Sequence, residues 1–163
     1  MEPVRSSLGG GIVATAALAG YLLVADLALR GTSLFVFATF TSLCAVGGDP
    51  YCGVGTPMAA ALTAVWFGLL FAVAWPLLFG GFTWGLPGDS GVAHGAIFGL
   101  VLWVGYALAV LTEIGLGRES FAASSPIVAV TLGGYLVYGV VLGTVYDRLA
   151  GHRTFLSRTP APS

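Results

Sequence analysis

Lysine is absent from the 163 residues, and charge of either sign is scarce. The six basic residues are all arginine and stand scattered, so no basic cluster exists to hold nucleic acid. Without a lysine amine there is no Schiff base for retinal or pyridoxal phosphate and no Walker-type phosphate loop. Histidine occurs only at His94 and His152, and cysteine only at Cys44 and Cys52, without CxxC spacing. These are too few for a zinc or redox centre. A haem held between two copies of His94 is the remaining metal alternative. No GxSxG or HExxH signature occurs. The expectation is therefore no catalytic residue, no cofactor and no metal.

Apolar residues and glycine take the place of what is missing. The chain is 57% hydrophobic and 8% charged, with 25 glycines and a mean hydropathy of +0.95. A soluble domain carries about 25% charge. Several apolar runs approach the roughly 20 residues that cross a bilayer. The expected fold is all-α: one domain over residues 1–155, a left-handed four-helix transmembrane bundle, with spans near 9–29, 57–82, 91–116 and 127–149. Residues 156–163, ending in Thr159, Pro160, Ala161, Pro162 and Ser163, read as a disordered tail.

The third run is the expected centre of the bundle. Gly91, Gly95 and Gly99 recur every fourth position and line one side of a helix. Such a stripe lets another helix approach closely in lipid, where packing replaces the hydrophobic drive. Gly139 and Gly143 form a GxxxG pair in the fourth run, and Ala60, Ala64, Gly68 and Ala72 make a small-residue stripe in the second. Of these, Gly68 and Ala72 join Gly91, Gly95, Gly99, Gly139 and Gly143 as expected helix-packing positions.

The segments between are more ambiguous. Met1 to Ser7 reads as a short polar lead, and the first run is a retained span rather than a signal peptide. Residues 33–46 are apolar but short, either a re-entrant or interfacial segment or an extension of the first helix beyond a bend near Gly31. Gly47, Gly48, Asp49 and Pro50 then make a turn that brings Cys44 and Cys52 within reach of a disulfide, the alternative being two free thiols. Pro57 opens the second span and Pro76 kinks or ends it. Trp66, Trp75 and Trp84 mark interfacial depths. Asp89 or Ser90 caps the third span, and Ser124, Ser125 and Pro126 restart the fourth. Residues 65–70 and 136–141 share an aromatic–Gly–aliphatic phrase, as two related hairpins would.

Arginine placement sets the orientation. Arg5, Arg148, Arg153 and Arg158 share one side, against Arg30 and Arg118 on the other, which puts both termini in the cytoplasm of a multi-pass plasma-membrane protein.

Ionisable groups inside spans are functional candidates by default. Here they are Asp26, His94, Glu113 and Asp147, each near the end of its span. One reading makes them interfacial or structurally paired, with Asp26 and Arg30 at i, i+4 and His94 bonded to a carbonyl or to Asp147. The other makes Asp26 and Glu113 an outer carboxylate pair for a cation or proton. Tyr135, Tyr138 and Tyr146, with Trp103 and Tyr106, either line a ligand pocket or pack as anchors.

The phrases Leu86-Pro87-Gly88, Gly95 to Trp103 and Tyr135 to Gly143 resemble a family of small four-span membrane proteins of unassigned function, found in salt-loving archaea and high-GC bacteria. The resemblance covers the last two-thirds of the chain and implies the four-span fold without an activity. In that family a histidine often precedes the last aromatic–Gly phrase, and here Tyr135 stands nearby. Two functions follow as expectations. One is a non-catalytic structural or assembly subunit, embedded in lipid, that packs on itself or a partner through glycine faces. The other is a small oligomeric transporter or channel using Asp26 and Glu113.

Overall fold

Proline, hydroxyl caps and long uncharged runs shape the helices. The computed structural model describes residues 3–28, 56–83, 85, 90–111 and 125–150. Helix α1 covers Pro3–Ala28, and α2 covers Pro57–Gly68. A π segment, Leu69–Ala74, continues without a break into α3, Trp75–Phe82. Helix α4 covers Gly91–Leu111 and α5 Ser125–Ala150. Among the described residues there is no strand. Four stretches, Val4–Ala28, Pro57–Phe82, Gly91–Ala109 and Val128–Ala150, are long and apolar enough to cross a membrane.

Local chemistry accounts for the boundaries. Thr56 sits in extended geometry and its hydroxyl accepts from the Ala59 amide at 3.2 Å, with Pro57 in the first turn, where its missing N–H is not needed. Ser90 caps α4 in the same way, accepting from Ala93 at 3.3 Å. Helix α1 begins at Pro3, ahead of the apolar run, so residues 3–7 of the stretch read as a polar lead are helical. Ser6 and Ser7 are buried in it, Ser7 against Gly80 of α3.

The helices alternate in direction. Gly9 lies beside Leu149 and Gly133 beside Tyr21, so α1 and α5 run antiparallel. Gly91 lies beside Gly143 and Gly99 beside Tyr135, so α4 and α5 do too. Helix α5 has its most extensive contacts with α4 and α1, while α1 alone also packs broadly on the π segment and α3. The sequence places the centre at the third run; the structure places α5 between α1 and α4. The reason is that α5 presents small residues on two sides, Gly139 and Gly143 to α4 and Gly133 to α1, whereas α4 has one such side.

Two packing modes coexist. Glycine brings α4 against α5 at backbone distance. Rings hold the α2–α3 arm farther out: Phe71 meets Tyr138 edge-on at 5.1 Å, Phe79 meets Phe98 at 5.2 Å, and Phe82 meets Phe98 at 5.3 Å. Leu18, Leu22 and Leu142 complete the buried core. Large apolar side chains such as Ile12, Val24, Leu27, Val65 and Leu108 point outward, the inverse of a water-soluble surface.

Segment 33–46, Cys44, Cys52, Glu113, Asp89, Trp84, Arg30, Arg118 and the tail 156–163 lie outside the described residues.

Candidate functional site

Pro76 is where the second span departs from a regular helix. It has no N–H to offer, and its ring crowds the carbonyl of the residue four before it, Ala72. The chain adjusts by widening one turn. The Trp75 amide bonds the Leu70 carbonyl, five residues back, instead of Phe71. In that wider register the donor facing the Phe71 carbonyl would be residue 76, which is proline. The Tyr138 hydroxyl of α5 supplies the hydrogen bond, donating to the Phe71 carbonyl oxygen at 2.7 Å. Inside an apolar core an unanswered carbonyl is costly, so proline, π turn and tyrosine form one unit. Gly11 of α1 completes it. A Cβ there would stand 2.8 Å from Pro76 Cβ and 2.9 Å from the Ala72 carbonyl oxygen, closer than real side chains allow.

The widened turn and the ring-spaced arm leave a cleft of about 260 Å³. Leu70 and Trp75 form one wall. Val101, Leu102, Gly105, Tyr106 and Ala109 of α4 form the other, and Tyr135 of α5 lies at the back. The Tyr106 and Tyr135 rings sit 5.7 Å apart. The surfaces are mostly apolar, and the mouth passes exposed Val101 and Gly105. A closed void of this size would cost about 6 kcal/mol at roughly 24 cal/mol per Å³. An opening at the side lets a neighbouring apolar molecule fill it. Just beyond, Trp103 Nε1 donates to Thr131 Oγ1 at 3.2 Å, and Thr131 donates to the Val128 carbonyl at 3.0 Å.

The α4–α5 contact lies behind this cleft. A Cβ at Gly91 would stand 2.5 Å from the Gly143 carbonyl oxygen. One at Gly95 would collide with the Gly139 carbonyl, one at Gly99 with the Tyr135 carbonyl, and one at Gly143 with the Gly91 carbonyl. The glycine stripes therefore face each other within one chain, and an oligomer has to use other faces. On the α2 arm, nothing among the described residues comes within 4 Å of a Cβ built on Gly68. Ala72 is the member of that stripe whose backbone meets α1.

The ionisable candidates separate to opposite ends. His94 is buried at 5% exposure in the first turns of α4. Asp147 of α5 lies at the same end, against Gly91, where a Cβ would be 2.5 Å from Asp147 Cβ. Asp26 is buried at 5% exposure near the far end of α1. Its expected partner Glu113 is outside the described residues. Among the described residues no group of three His, Cys, Asp or Glu side chains is placed to hold a metal ion.

Of the aromatic candidates, Tyr106 and Tyr135 line the cleft, Tyr138 braces the π segment, and Tyr146 packs on Phe79 at 5.5 Å. Trp75, read as an interfacial marker, lines the cleft. The π segment itself had no periodic signal. Its sequence trace is a proline late in the span and a tyrosine on another helix that reaches the Phe71 carbonyl, a pairing visible only once the helices are docked.

No curated protein and no solved structure matches the chain. A family described as "Family of unknown function (DUF6789)" matches residues 1–157, in keeping with the resemblance to four-span proteins of unassigned function. A match over that length makes the chain a member of this family.

Proposed function

We propose that the protein is a non-catalytic structural or assembly subunit of the plasma membrane, crossing it four times with both termini in the cytoplasm. The observation that carries this reading is the backbone-close contact of α4 and α5, which makes a rigid α1–α5–α4 core. Such a core suits a scaffold. The Pro3 and Ala150 ends of the bundle lie together, and the arginine bias assigns that end to the cytoplasm. With the α4 and α5 glycines occupied, the α2 stripe of Ala60, Ala64 and Gly68 is a small-residue face that no other described residue fills at Gly68, and it suits a second copy or partner helix.

The test is native mass spectrometry of the protein in nanodiscs, comparing wild type with Gly68→Leu. A wild-type oligomer that the substitution dissociates supports the reading; a monomer with no partner refutes it.

Burial of the Asp26 carboxylate favours a second reading, a small oligomeric transporter or channel that uses Asp26 with Glu113. Proteoliposome flux of protons or monovalent cations separates the two. Flux above protein-free vesicles that Asp26→Asn abolishes establishes transport, and its absence leaves the scaffold.

A further inference from the structure

We propose that the cleft between the π segment, α4 and α5 is a lipid site that takes one acyl chain of a bilayer phospholipid. The proposal rests on the membrane placement proposed above.

Size comes first. An apolar cavity of about 150 Å³ stays dry and accepts benzene. The cleft measures about 260 Å³ and its lining is mostly apolar, so it has room for a larger apolar group. Shape narrows the choice. The lining residues on α4 run from Val101 to Ala109, about 12 Å at roughly 1.5 Å per residue. A strip of that length suits an extended chain better than a single ring.

Access identifies the source. Val101 is 53% exposed and Gly105 is exposed, and the mouth continues into the outward face formed by Leu69, Val104 and Leu108. Among the described residues nothing covers that face, so in a bilayer it meets acyl chains and the tail of an adjacent lipid is able to enter. The back of the cleft gives it reason to stay. Trp75, Tyr106 and Tyr135 present ring surfaces held in place by packing, with Tyr135 against Phe71 at 6.1 Å and Tyr106 at 5.7 Å. Gly105 keeps the mouth clear, since a Cβ there would meet nothing within 4 Å among the described residues. That same vacancy makes position 105 a place where a plug fits without forcing the backbone.

The test combines carbonate extraction with native mass spectrometry of the protein ejected from phosphatidylglycerol–phosphatidylethanolamine nanodiscs. Wild type is expected to resist extraction and to retain one phospholipid. Gly105→Leu, and independently Ala109→Leu at the other end of the cleft, should lower that occupancy about tenfold. Gly20→Leu, also in open space, should leave it unchanged. Without any plug, mid-chain brominated phospholipid should quench wild-type tryptophan emission more than that of Trp75→Phe. An extraction-resistant wild type without lipid overturns the proposal. So does occupancy that neither plug lowers, or a retained species that is a neutral isoprenoid rather than a phospholipid. Release by carbonate overturns the membrane placement itself.

Discussion

Replacing Tyr138 with phenylalanine removes one oxygen and leaves every ring contact in place. What is lost is the 2.7 Å hydrogen bond to the Phe71 carbonyl, which the π register leaves facing a proline. Tyr138 is fully buried, so water does not replace the lost donor. A buried acceptor left unanswered costs about 1–3 kcal/mol, and hydrogen bonds within membrane bundles average about 0.6 with a maximum near 1.7 kcal/mol. The expected destabilisation is about 1–1.5 kcal/mol. Pro76→Ala provides the control. It returns an N–H to the position that faces Phe71, so Tyr138→Phe should cost close to nothing in that background. The coupling energy between the two sites should therefore be about 1 kcal/mol. The assay is reversible SDS unfolding in mixed micelles, read by far-UV circular dichroism for wild type, both single variants and the double variant. Equal costs of Tyr138→Phe with and without Pro76 would refute the link between proline, π turn and tyrosine.

Three further outcomes follow from the packing and the helix caps. Gly95→Ala should destabilise by about 1–3 kcal/mol in SDS unfolding because its Cβ meets the Gly139 carbonyl, whereas Gly20→Ala, with nothing within 4 Å, should be neutral or stabilising by up to about 1 kcal/mol. Thr56→Ala removes the α2 cap and should raise amide exchange at Ala59 and the neighbouring first-turn amides, with a loss of about 1 kcal/mol. Asp26→Asn should leave proteoliposome ion permeability at the protein-free level if the protein is a scaffold, and an Asp26-dependent current would reverse that assignment.

Much of the candidate site was half legible. Tyr106 and Tyr135 stood out as ring-bearing positions on their spans, but spacing alone did not tell a cleft from packing. Trp75 read as an interface marker because tryptophan favours that depth, and that it also lines the cleft shows only once α3 is docked against α4. Pro76 announced a disturbance, yet whether the helix ended, kinked or widened depended on a hydroxyl 62 positions away (138 less 76).

Composition and periodicity by themselves determined that this chain is helical, apolar and divided into four bilayer-length rods. Charge density and run length are local, and they need no knowledge of neighbours. Glycine spacing likewise marked which faces could come close. Docking alone decided that the stripes on α4 and α5 meet each other, that α5 lies in the middle, and that a cleft opens beside the π segment. These depend on which surfaces face one another across the bundle, and a one-dimensional pattern of small residues does not encode that choice.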